Sequence, residues 1–181
     1  LSHNSIYKIE KDTFKKLENL QKLDLSNNFL TILDQLFNDI SCDYALKELY
    51  LEFNKIPFIP YLFFENLHRL KILYLNNNSI SYLENNNFHG LSSSIEILLL
   101  HSNPIKYISR KSLISVSHAH ILFLYNTQLP KSLKLENYVP KRDLDIHVFN
   151  MEQNYLITVF DYISKNFPEI KPICYIQFKS I

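Results

Sequence analysis

Histidine and cysteine are the residues in this 181-residue chain best suited to hold a metal or attack a substrate. His118 and His120 flank Ala119, so strand alternation would point both imidazoles to one face, away from a core. A metal site needs convergent ligands of suitable type and number, and neither cysteine nor carboxylate joins this pair at useful spacing. With His3, His68, His89, His101 and His147 scattered elsewhere, the histidines are expected to be solvated surface side chains rather than ligands. Serine, histidine and aspartate are plentiful, but no G-x-S-x-G elbow frames a nucleophile. The single glycine, Gly90, leaves no phosphate-cradling loop. These observations predict a non-enzymatic chain without metal or cofactor. Cys42 and Cys174 are too few for a disulfide framework. One reading makes them a buried and a partly exposed thiol; the other lets one pair with a partner chain, in a homo- or heterodimer. Asn77, in Asn77-Asn78-Ser79, opens a glycosylation sequon.

Asparagine is the polar residue that recurs on a fixed ruler. Aligning on it gives "LQKLDLSNNFLTIL" from Leu20, "LKELYLEFNKIPFI" from Leu46, "LKILYLNNNSISYL" from Leu70, "IEILLLHSNPIKYI" from Ile95 and "AHILFLYNTQLPKS" from Ala119. The starts are separated by 26, 24, 25 and 24 residues, and each unit reads L-x-x-L-x-L-x-x-N-x-L, with Thr127 in place of the last asparagine. The opening "LSHNSIYKI" matches the end of an earlier unit through Leu1 and Asn4.

The spacing has a physical reason. L-x-L is a short strand with alternate side chains inward, and one unit cannot bury its leucines alone. Stacked units form a parallel sheet over a continuous core. An inward asparagine after each strand can pair the backbone groups of the buried bend, so Asn28, Asn54, Asn78 and Asn103 are expected to form a ladder. In the second half of the units, Phe14, Phe64 and Phe88 keep one phase, with Leu17, Leu67 and Leu91 three residues later and Leu113 and Val116 in the fourth unit. These should pack the opposite, convex side. The unit from Leu20 departs, with Phe37 and Ile40 shifted and "SCDYA" inserted as an expected outward bulge.

These residues resemble the leucine-rich repeat family, and the 24-residue unit with its convex phenylalanine is similar to the extracellular animal class. The resemblance implies an α/β solenoid, with a curved parallel sheet on the concave side and irregular or short-helical turns on the convex side. It also implies a secreted or cell-surface setting in reception, adhesion or innate immunity. An intracellular scaffold is the alternative.

Within each unit the residues between the leucines face the concavity in columns. One reads Asp24, Tyr50, Tyr74, Leu99, Phe123; another Lys22, Glu48, Ile72, Ile97, Ile121; a third, just before the ladder, Asn27, Phe53, Asn77, Ser102, Asn126. A water-facing sheet should carry polar side chains there. Tyr50, Phe53, Ile72, Tyr74, Ile97, Leu99, Ile121 and Phe123 therefore predict an exposed apolar surface for a protein partner. Cover by the chain's own tail and an apolar ligand are the alternatives. Asn76 and Asn77 are expected to face out on the same side.

The repeats are expected to occupy residues 1–133 and a C-terminal extension or cap residues 134–181. In that extension "LDIHVF" and "PICYIQF" read as strands around a helix at 151–167, capped by Asn150 and stopped by Pro168. Net charge is +1, from 19 basic and 18 acidic residues, which argues against nucleic acid or anionic membrane as the partner. No run approaches the roughly 18 to 20 apolar residues of a membrane span.

Overall fold

The computed structural model describes residues 1–33, 36–37, 45–91, 95–109, 111–116, 119, 121–123 and 127–129. The chain divides into two units, Leu1–Asn150 and Met151–Ile181, and every described residue lies in the first. The inserted bulge up to Tyr44, Ile40, both cysteines, His118, His120, His147 and the expected extension at 134–181 lie outside the described residues.

Among the described residues seven short strands follow in order: β1 (Lys22–Asp24), β2 (Glu48–Tyr50), β3 (Ile72–Tyr74), β4 (Tyr82–Leu83), β5 (Ile97–Leu99), β6 (Tyr107–Ile108) and β7 (Ile121–Phe123). Five of them form one parallel sheet in the order β1-β2-β3-β5-β7. Its register aligns equivalent positions of successive repeats, as in Lys22↔Glu48↔Ile72↔Ile97↔Ile121. Leu23, Leu49, Leu73 and Leu98 point inward and are buried, as are Leu25, Leu51, Leu75 and Leu100 two residues on. Each such leucine contributes roughly 1.5 to 3 kcal/mol relative to exposure, and only stacking makes that burial possible.

A strand of three residues must turn at once, and one residue per rung makes the turn. His3, Asn27, Phe53, Asn77 and Ser102 all adopt left-handed φ values between 53° and 55°. The next residue is the ladder asparagine. Oδ1 of Asn28, Asn54, Asn78 and Asn103 accepts from the N–H of Ile6, Leu30, Ile56 and Ile80 respectively, in the preceding rung, at 2.9–3.0 Å. Nδ2 donates to the carbonyls of Leu1, Leu25, Leu51 and Leu75, again one rung back, at 2.9–3.0 Å. It also reaches carbonyls of its own turn, as Asn78 does with Leu75 and Asn76. A carboxamide suits this place because it both donates and accepts. Thr127, at the same position, leaves its buried hydroxyl without a partner.

The convex side is a staircase of i→i+3 turns rather than regular helix: Lys15 N–H to Asp12, Leu17 to Phe14 and Leu20 to Leu17 recur as Glu65 to Leu62, Leu67 to Phe64 and Leu70 to Leu67. A single 3₁₀ turn, Ile114–Val116, serves the fourth unit. A second left-handed position recurs here, at Asp12 (64°), Leu62 (57°) and Asn86 (65°). Phenylalanines pack beneath the turns, stacked for Phe14–Phe37 and Phe64–Phe88 with centroids 6.2 and 5.9 Å apart, and edge to face for Phe37–Phe63 at 5.6 Å. Phe37 thus fills the column despite its shifted place in the chain. Leu17, by contrast, is 46% exposed, against the expectation of burial.

Gly90 has φ 93°, and a Cβ there would collide with the Phe64 carbonyl and the Glu65 Cα of the rung before. Asn87, in the second asparagine run, is buried and donates to the Ile59 carbonyl at 3.0 Å. Asn85 reaches the other way, accepting from the Lys111 N–H at 3.2 Å and from the Ser109 hydroxyl. That run ties three successive rungs together on the convex side.

Candidate concave recognition face

The concave face changes character from β1 to β7. At the first end Lys22 Nζ lies 2.8 Å from Glu48 Oε2 and 4.6 Å from the centroid of the Tyr50 ring, and the Tyr50 hydroxyl donates to Glu48 Oε2 at 2.9 Å. Burial works to raise the Glu48 pKa, but the hydrogen bonds from Lys22 and Tyr50 and the lysine charge together hold it below the usual value. Burial, then the bond to Glu48, pushes the Tyr50 hydroxyl well up. Tyr50 meets Tyr74 edge to face at 4.9 Å, and from there the columns turn aliphatic.

The expected open apolar patch is open only in part. Tyr50, Phe53 and Ile72 are half-buried, whereas Tyr74, Ile97 and Leu99 are buried. The register sets each between large residues on neighbouring strands, Tyr74 between Tyr50 and Leu99, and Leu99 between Tyr74 and Phe123. Mutual cover of such rows removes apolar area from water and is favoured over leaving each side chain free. The side chains of Ile121 and Phe123 are outside the described residues. Asn77 is half-buried, and its N–H donates to the His101 carbonyl at 3.1 Å.

One column escaped the sequence reading. Two residues beyond Asp24, Tyr50, Tyr74 and Leu99, strand alternation continues to Ser26, Glu52, Asn76 and His101, and all four are buried. Asn76, expected to face solvent, is fully enclosed, with neither side-chain atom hydrogen-bonded; Glu52 Oε2 is likewise unpartnered. His101 is 3% exposed, not a solvated surface histidine. Strand alternation alone leaves these positions outward, so their enclosure is set by packing across the face rather than by phase. Burial, reinforced by the Asp24 charge, raises the Glu52 pKa to about 7, and burial lowers that of His101 to about 3. At the start of the column Ser26 is satisfied, donating from its hydroxyl to Asp24 Oδ1 at 2.7 Å. The only sequence signal was a polar residue in the same place in four successive units, with Tyr125 in the fifth.

On the convex side, Glu65, Asn66, His68, His89 and Ser115 line a hollow beside Gly90. Among the described residues no three histidine, cysteine, aspartate or glutamate side chains converge on a metal position, and no helix is long and apolar enough to cross a membrane.

The comparison with known proteins agrees with this architecture. The leucine rich repeat family profile matches residues 1–42 and 45–105. Asporin of Bos taurus is 30% identical over 112 residues, covering 59% of this chain and 30% of asporin. Chaoptin of Drosophila melanogaster is 30% identical over 148 residues, covering 68% of this chain and 11% of chaoptin. Among solved structures, TLR13 in complex with ssRNA13 superposes with a TM-score of 0.68 at 27% identity, over 80% of this chain and 20% of that one. A Leptospira interrogans leucine-rich repeat protein shares the fold, with a TM-score of 0.65 at 22% identity over 82% of this chain and 36% of the other. The chain therefore spans under two fifths of each of these proteins. Repeat pattern, sheet register, asparagine ladder and profile together make this chain a member of the leucine-rich repeat family.

Proposed function

We propose that the chain is a non-enzymatic recognition module that binds a protein partner through its concave face, in an extracellular or cell-surface protein. The observation that carries this reading is the half-buried apolar surface of Tyr50, Phe53 and Ile72, beside the Lys22–Glu48 ion pair. Aromatic anchors next to a polar rim are how protein interfaces distribute their binding energy. Tyr74, Ile97 and Leu99 continue the face toward the C-terminal repeats as its buried part, and Ile121 and Phe123 are the proposed extension of it. Relatives such as asporin and chaoptin, which are extracellular or cell-surface proteins, support the setting. The half-buried sequon asparagine, Asn77, is the proposed glycan acceptor.

A photo-crosslinking residue at position 72 tests the face, with the same residue at convex position 16 as the control. Partner capture from 72 alone supports the concave reading; capture from 16 alone defeats it. Secretion of the chain with a mobility shift abolished by Asn77→Gln supports the setting, and an unmodified Asn77 in secreted protein removes the glycan.

A further inference from the structure

The segment after each ladder asparagine runs along the flank of the solenoid, and its outward residues carry a pattern the concave reading does not use. Residues two and five after the asparagine enter the core, as Leu30 and Leu33, Ile56 and Ile59, Ile80 and Leu83, and Ile105 and Ile108 do. The residue four after it faces water. In four successive rungs that residue is Ile32, Phe58, Tyr82 and Tyr107, exposed by 51%, 41%, 39% and 60%. Tyr82 and Tyr107 stand side by side in register on the parallel pair β4–β6. Phe29, 47% exposed, extends the ridge. Single exposed apolar residues need no explanation, but a contiguous row of them marks an interaction surface.

The charges nearest the ridge on the side of the ladder have one sign, whereas Glu10 and Glu84, six residues after Asn4 and Asn78, carry the other on its far side. At the positions one, three and four after Asn4, Asn28, Asn54, Asn78 and Asn103 there are three lysines and no carboxylate. Lys8, at one end, is paired with Glu10 at 2.8 Å. Lys55 lies 4.8 Å from the centroid of the Phe29 ring, and neither it nor Lys106 has a carboxylate partner among the described residues. Lys22 and Lys71, by contrast, are each paired with a glutamate of the next repeat, at 2.8 and 2.6 Å.

We propose that this flank, the Ile32–Phe58–Tyr82–Tyr107 ridge between Lys55 and Lys106, is a docking surface for an acidic, apolar-bearing segment of a partner protein. It rests on the reading of the chain as a protein-recognition module, not on the concave face. Apolar side chains of the segment would lie against the ridge and its carboxylates against the two lysines. Two available cations over four rungs are too few to track the phosphate of every nucleotide in a nucleic-acid strand, which favours a peptide.

The chain has no tryptophan, so one tryptophan in a probe peptide reports binding without background. The probe is a synthetic peptide of alternating glutamate and leucine ending in tryptophan, titrated with the full 181-residue chain. Its lysine-for-glutamate counterpart and a labelled oligouridylate serve as competitors. The expected result is binding of the glutamate peptide alone, weakened by salt. Phe58→Asp with Tyr107→Asp, and separately Lys55→Glu with Lys106→Glu, should each weaken it by about tenfold or more, as loss of interface anchors does. Convex Lys16→Glu, at an exposed position, should leave it unchanged. The lysine pair is exposed, so its effect stands even if the aromatic double variant unfolds. Absence of glutamate-peptide binding, equal binding of the lysine peptide, tighter binding of oligouridylate, or equal sensitivity to Lys16→Glu and to the flank lysine pair overturns the proposal. Crosslinking from position 72 reports on the concave face independently, so the two readings fail separately.

Discussion

Oδ1 of Asn78 accepts the N–H of Ile56 at 3.0 Å, so the turn of one repeat is completed by a side chain of the next. The same carboxamide donates to the carbonyl of Leu51 at 2.9 Å. Asn78→Ala removes both and leaves buried backbone groups unpaired, which should cost about 1 to 3 kcal/mol. Urea denaturation measures it, with Ser79→Ala, at an exposed position, as the unchanged control. A variant as stable as the parent would mean that the ladder is dispensable.

Gly90 presents a second close approach between rungs. Its φ of 93° is open to glycine, and an added Cβ would meet the Phe64 backbone. Backbone cannot swing aside as a flexible side chain can. Gly90→Ala should therefore destabilise by about 3 kcal/mol or more, combining left-handed strain with collision. The denaturation midpoint should fall while the far-ultraviolet spectrum of any folded fraction is retained.

Phe53 holds φ at 55°, the value adopted by Asn27 and Asn77 at the same place in their rungs. Asparagine tolerates that conformation, whereas a bulky side chain is strained in it by roughly 1 to 2 kcal/mol. Phe53→Asn should raise the unfolding free energy by about 1 kcal/mol, and should weaken capture of a concave partner. A stability gain coupled to a binding loss would identify Phe53 as strain kept for recognition; a stability loss would show that its side-chain contacts outweigh the backbone.

Glu52 and His101 make opposite pH predictions. The Glu52 pKa rises from 4.5 to about 7 on folding, so the folded state keeps a proton that the unfolded chain releases. Its stability is complete below pH 4.5 and is lost as pH rises to about 7, amounting to about 3 kcal/mol. The His101 pKa falls from 6.5 to about 3, so its contribution is complete above pH 6.5 and is lost on acidification toward 3. Between pH 4.5 and 6.5 the two slopes oppose each other, and the parent profile should be nearly flat. Glu52→Gln should expose a loss on acidification in that window, and His101→Asn a loss on alkalinisation. Urea denaturation at four pH values tests both; unchanged profiles would mean that the two groups are hydrated.

What was legible in the sequence is what the repeat imposes on every unit. Strands, their parallel register, the ladder of Asn28, Asn54, Asn78 and Asn103 and the phenylalanine stack all follow from residues that recur at a fixed phase. Features that depend on shape rather than phase were not legible. Strand alternation places Asn76 and His101 on the water side, and their enclosure depends on what packs across the face. The exposure of Tyr74, Ile97 and Leu99 was misjudged for the same reason, since cover across a face is not encoded in the strand beneath it. On the flank, Phe58 and Tyr107 have the composition of core residues, and only the three-dimensional path turns them outward.

The ladder also has a direction. Each asparagine serves the rung before it, never the one after: Asn54 serves Leu30, Asn78 serves Ile56 and Asn103 serves Ile80. During synthesis, the bend of a repeat therefore keeps bare amide and carbonyl groups until about 24 further residues have left the ribosome, the length of one repeat. Folding of the growing chain trails its emergence by a fixed interval, and the newest rung is always the unfinished one.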